Sequence, residues 1–131
     1  MSVESAIYAA LIADAPVLAL VSTRIYPNLA SEDAVMPYLV YQQIGGSRLH
    51  SNAGALGSCD GGWQITCYDS TYLGVRALAD AVRQALDGHT NATLGHCFLV
   101  SETDIPNLSD NDELISFGKA LDFDIFGYET A

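Results

Sequence analysis

Basic residues are scarce in this chain: Lys119 is the single lysine, and Lys and Arg together number 5 against 16 Asp and Glu, for a formal net charge of −11. Such a surface repels a long polyanion over most of its area, which argues against sequence-specific reading of nucleic acid. Acidity also keeps an apolar-rich chain soluble, and that is its simplest account. Cysteine is equally sparse. Cys59, Cys67 and Cys97 make an odd count of 3 with no C-x-x-C pair, which argues against a disulfide framework and a paired-cysteine zinc site and suits a reducing cytoplasm. No run approaches the roughly 18 uninterrupted apolar residues of a membrane-spanning helix. Glu4 stands where a secretory signal carries positive charge, and Asp14 and Pro16 break the apolar stretch, so neither a signal peptide nor membrane attachment is expected. The phosphate-cradling patterns G-x-x-x-x-G-K-[ST] and strand-linked G-x-G-x-x-G are also missing, which leaves nucleotide binding without support.

What remains is material for a core. Half of the 131 residues are hydrophobic and 16% are charged, the balance of a packed globular chain, and a single domain over residues 1–131 is expected. Val3, Ile7 and Leu11 recur at helical spacing after Ser2, and Asp14-Ala15-Pro16 reads as a fresh cap opening a short second helix. Arg24-Ile25-Tyr26 is short and β-prone, and 28–37 has loop composition. Tyr38 to Ile44 reads as a central strand ended or bulged at Gly45-Gly46. Residues 47–61 lack sustained periodicity and are glycine-rich, as a flexible loop or a long-tipped hairpin would be. Trp63, Ile65 and Cys67 alternate with polar residues, the pattern of a half-buried strand. Residues 70–87 carry the clearest signal: Val75, Leu78, Val82 and Leu86 form one stripe and Arg76, Asp80, Arg83 and Asp87 the other, with Asp69 or Ser70 as cap and Gly88 after the end. Cys97 to Val100 reads as a buried strand, an acidic loop follows from Asp104 to Glu113, and a last strand sets Phe117, Lys119, Leu121, Phe123 and Ile125 against a face that includes Asp122 and Asp124. The order predicts an α+β fold, a largely antiparallel mixed sheet flanked by an N-terminal helix pair and one long helix.

Few residues carry chemistry. Gly57-Ser58-Cys59-Asp60-Gly61 spells a cysteine version of the hydrolase nucleophile elbow, but an elbow follows a strand and opens a helix, and this segment leads into the Trp63 strand instead. A small cysteine hydrolase using Cys59 is therefore the remote enzymatic alternative, and a ligand-binding α+β module is a third. Asp122 and Asp124, about 7 Å apart on one strand face, can serve glycosidic chemistry, yet alternating Asp on a solvated or pore-facing strand is far commoner. Ser109 to Glu113 begins like a calcium loop, but Leu114 and Ile115 fall where oxygen and glycine are required. His96 and its neighbour Cys97 point to opposite sides of a strand and cannot share a metal. No catalytic residue, cofactor or metal is expected. Arg24 and Arg48 are placed for specific carboxylate contacts because cations are so few.

The segments VESAIYAALIADAPVLALVSTRIYPNLA with its T-R-I-Y-P element at Thr23–Pro27, MPYLVYQQIGGSRLHS at 36–51, GWQITCYDSTYLGVRALADAVRQALDG at 62–88 and the closing ALDFDIFGYE together resemble the tail-completion or tail-terminator proteins of long-tailed phages, prophages and gene transfer agents. The resemblance implies no active site. It implies a structural virion protein of the tail or neck, assembled in the host bacterial cytoplasm. Its copies would form a homo-hexameric ring that ends the tail tube and meets the head-completion or stopper protein, with DNA passing only in transit. Partners would be further copies, the tail tube protein and the stopper, and no membrane. Another neck component is the nearest alternative. On this reading Arg48, Leu49, His50, Asn52 and Trp63 are candidates for the tube or subunit interface, and Asp122 and Asp124 for the channel lining.

Overall fold

Asp14 divides the N-terminal segment into two helices, α1 (Val3–Ala13) and α2 (Ala15–Val21), bent by 85° at the break. Its carboxylate accepts from the Val17 N–H at 3.2 Å, satisfying one of the donors a helix start leaves unpaired. The computed structural model describes residues 3–30, 35–51, 54–90, 93–105 and 117–128, with backbone alone for 47–51, 54–59 and 128. No single helix among them is long and apolar enough to cross a membrane. Ser2, read as the first cap, and the acidic stretch 106–116 lie outside the described residues.

Five strands follow: β1 (Ile25–Pro27), β2 (Tyr38–Ser51), β3 (Gly54–Asp69), β4 (Leu94–Ile105) and β5 (Phe117–Tyr128), in the spatial order β1-β2-β3-β5-β4. All neighbours are antiparallel except β1 and β2, so the sheet is mixed as expected. Pro27 sits on the short edge strand β1, where a missing donor costs least. The centre is β3 rather than the Tyr38 strand. The glycine-rich tract pairs as strand nearly to its tip: Ser51 faces Gly54, and a bulge falls between Gln43 and Gly45, so the hairpin reading holds and the flexible-loop one does not.

Between β3 and β4 runs α3 (Tyr72–Leu86), whose stripe Val75, Leu78, Ala79, Val82 and Leu86 is buried. Its cap is Thr71, whose hydroxyl accepts from the Gly74 N–H at 3.0 Å. Asp69 instead accepts from the Ser70 N–H, correcting the expected cap by one or two residues. Gly88 takes φ of +79° after the helix end, the left-handed conformation that glycine adopts without strain.

All three helices pack on one face of the sheet, giving two layers. Val3, Ala6, Ile7 and Leu11 of α1 and Val17 and Val21 of α2 join the α3 stripe over Leu39, Ile65, Cys67, Leu121, Phe123 and Ile125, a core from which water is excluded. Gly127 permits α1 to approach, since a Cβ there would meet the Val3 side chain and the Thr93 carbonyl. Only Leu94 and Cys97 of β4 are fully buried. Phe98 and Val100 are 54% and 68% exposed, so the segment read as a buried strand is an edge, shifted in register between Leu94 and His96 and again between Leu99 and Ser101.

Candidate functional site: the helix-free face of the sheet

Strand alternation turns Tyr38, Val40 and Gln42 of β2, Asp60, Gln64, Thr66 and Tyr68 of β3, and Asp122, Asp124 and Phe126 of β5 to the face that, among the described residues, carries no helix. His96, Phe98 and Ser101 extend it onto β4. Together β3, β4 and β5 contain one cation, Lys119, which lies on the opposite face with Leu121 and pairs with Asp104 at 3.3 Å.

Three zones follow one another along this face. At one end Tyr26, Tyr38 and Tyr68 form a ring cluster, with Tyr38 centred 6.0 Å from Tyr26 and 5.1 Å from Tyr68. Burial first, then the neighbouring phenols, raises the Tyr38 hydroxyl pKa above the ordinary tyrosine value. Across the middle runs a polar ladder: Gln42 Nε2 donates to Gln64 Oε1 at 3.2 Å, Gln64 Nε2 to Asp122 Oδ1 at 3.0 Å, and Ser101 Oγ to Asp122 Oδ2 at 3.0 Å. Four strands are thereby tied by side chains as well as backbone. At the far end Asp60, His96 and Asp124 converge. The Asp60 carboxyl is pushed above the ordinary aspartate range, first by desolvation and then by its hydrogen bond and like charge with Asp124.

The end of α3 helps to place β4 in this arrangement. The Asp87 carboxylate accepts from the Leu99 N–H at 3.0 Å and the Gly88 N–H donates to the Cys97 carbonyl at 2.7 Å. His96 and Phe98 then face the helix-free side while Cys97 points into the core, as the strand argument requires.

The channel candidates Asp122 and Asp124 therefore share this face, half-buried at its centre and toward one end. The interface candidates are dispersed. Arg48, Leu49 and His50 lie on the distal half of β2, their side chains outside the described residues, as Asn52 is altogether. Trp63 is 8% exposed and belongs to the core on the helix side, where alternation from Ile65 and Cys67 puts it. What it offers a partner in the isolated chain is an edge in a cleft of about 200 Å³ shared with Glu4, Asn28, Tyr41, Gln42 and Gln43. That cleft, and one of about 150 Å³ beside the tyrosines, fall below the roughly 300–1,000 Å³ of ligand pockets. Among the described residues the Arg24 guanidinium meets carbonyls: its Nε donates to Pro37 O at 2.9 Å and its Nη2 to Leu20 O at 3.3 Å.

Cys59 lies within β3, its backbone paired with Arg48 and Gly127, away from any strand-to-helix turn. Cys67 and Cys97 are buried and free. Burial raises both thiols, that of Cys97 to about 12, which removes the thiolate that nucleophilic chemistry needs.

Comparison with known proteins agrees with a structural role. The family model described as Tail completion protein gp17 matches residues 5–112. No curated protein matches the sequence. Among solved structures, a chain in the virion of a native gene transfer agent particle superposes with a TM-score of 0.74 at 19% identity, over 97% of this chain and 95% of that one. At that identity the likeness is one of fold.

Proposed function

We propose, because the chain belongs to the tail completion protein gp17 family, that its copies close into a ring, six in number, which ends the tail tube and joins it to the head. Membership makes the chain a structural component of a phage-type tail. The ring, its order and its place at the head-proximal end are the reading proposed here, with assembly in the host cytoplasm and with the tail tube protein and the head-completion or stopper protein as partners. It does so without catalysis.

One observation carries the channel part of this reading. The helix-free face gathers Asp60, Asp122 and Asp124, while the single cation of its three adjoining strands points to the other side. Turned inward in a ring, such a face repels phosphates and lets DNA slide without adhering. Helices then lie outward. The distal half of the β2–β3 hairpin, with Arg48, Leu49, His50 and Asn52, reaches the tube or the neighbouring subunit, and Trp63 supports its base from within the core.

Native mass and negative-stain images of the chain mixed with preformed tail tubes test this. The proposal predicts sixfold rings, free or seated on tube ends, with a hole that admits duplex DNA. A chain that stays monomeric and never decorates a tube end contradicts it.

A further inference from the structure

We propose that Asp60, His96 and Asp124 form a binding site for a divalent transition-metal ion of the zinc class. The three residues come from three adjacent strands. Asp60 on β3 and His96 on β4 both stand directly opposite Phe126 of β5, and Asp124 precedes Phe126 by one strand repeat on the same face. Register therefore brings together side chains that lie far apart in sequence. One ligating atom from each residue falls within 4.8 Å of the other two. Zinc bound to nitrogen and oxygen at about 2.0–2.2 Å holds tetrahedral ligands about 3.3–3.5 Å apart. Small side-chain rotations of the exposed Asp60 supply the remaining contraction.

A second, independent observation concerns the imidazole. His96 stacks with Phe98, with centroids 4.8 Å apart and planes 12° apart, and with Phe126, at 5.6 Å and 21°. The stack fixes the ring plane and leaves the Nε2 edge facing the carboxylates. Nε2 is buried, yet it has no hydrogen-bond partner among the described residues. Its nearest acidic neighbour, Asp124 Oδ2, is 3.6 Å away, beyond hydrogen-bond reach. A buried nitrogen left in that state is costly, whether it carries a proton or a lone pair.

A cation resolves both deficits at once. It accepts the Nε2 lone pair, and it offsets two carboxylates that otherwise repel each other or share a proton. Two aspartates and a dication sum to zero charge. One imidazole nitrogen and two carboxylate oxygens form a mixed set that zinc accepts, with a fourth position left for water or a group from another molecule. Magnesium, which prefers all-oxygen octahedral surroundings and keeps its waters, fits this set poorly. The site does not depend on the ring reading.

The test is titration of the folded, full-length chain with ZnCl2 alone by calorimetry near pH 7.5, in excess MgCl2 and under a phosphine reductant. One ion per chain is expected. His96→Phe, which can preserve the aromatic stack, and Asp124→Asn should each weaken binding by more than about tenfold, the least that loss of even a supporting residue costs a metal site. His89→Gln and Cys59→Ser should bind as the parent does. Circular dichroism and thermal melts without metal confirm that each variant folds. If His96→Phe does not fold, two-dimensional imidazole nitrogen spectra of the parent decide, since zinc must shift the His96 Nε2 resonance. Absence of binding, binding unchanged in Asp124→Asn, or binding lost in Cys59→Ser overturns the proposal.

Discussion

Gln64 donates from Nε2 to the Asp122 carboxylate at 3.0 Å across the β3–β5 ladder, and this bond is the middle rung of a side-chain chain reaching from β2 to β4. Ser101 occupies the other carboxylate oxygen at 3.0 Å. A charge held this way keeps a fixed position on the sheet face instead of sweeping the space in front of it. Asp122→Ala removes the acceptor of the half-buried Gln64 amide and of the exposed Ser101 hydroxyl and should cost about 1 kcal/mol in urea denaturation. Asp122→Asn can still accept from Gln64 while Ser101 reverses its role, so it should cost much less.

Asp60 gives the pH dependence. Its pKa is raised in the fold, so the folded chain holds that proton more firmly than the unfolded chain does. This contribution to stability is present at low pH and lost as pH rises through the raised value. With chelator present, Asp60→Asn should therefore melt at a higher temperature than the parent at pH 7. The gap should close as the pH falls below the ordinary aspartate range. A gap that stays constant down to pH 3 contradicts the assignment.

Helix capping separates two close readings of one segment. Thr71→Ala removes the hydroxyl that accepts from Gly74 and should destabilise the chain by about 1 kcal/mol. Ser70→Ala, one residue earlier, should cost far less. Denaturant midpoints of the two variants decide between them.

The thiols provide a check on burial. Cys67 and Cys97 should resist iodoacetamide at pH 8 in the folded chain and react once it is unfolded, because both are buried with raised pKa values. Mass spectrometry of labelled peptides reads this directly. Prompt native labelling of Cys97 would mean that β4 is not held against the core.

These features differ in how plainly the sequence announces them. The α3 stripe and the Phe117–Ile125 alternation are legible because each buries one face at a fixed period. The Thr71 cap was missed because Asp69, Ser70 and Thr71 are all competent caps in a row, and only geometry chooses among them. The length of the β2–β3 hairpin was half visible, because glycines on a strand erase alternation without preventing backbone pairing. The exposure of Phe98 and Val100 was hidden by the apolar run Cys97–Val100, whose burial depends on β4 lying at an edge. Alternation sets Asp124 on a solvated or pore-facing strand face and tells of His96 only that it cannot share a metal with its neighbour Cys97. Their meeting with Asp60 follows from strand register and order, which local composition does not encode.

The proposed role, ending the tail and joining it to the head, is put to the test by electron microscopy of particles made in cells that lack the chain. Filled heads without tails, beside tubes that have grown past their normal length, are the expected result. Tails of normal length, joined to heads in normal numbers, would contradict it.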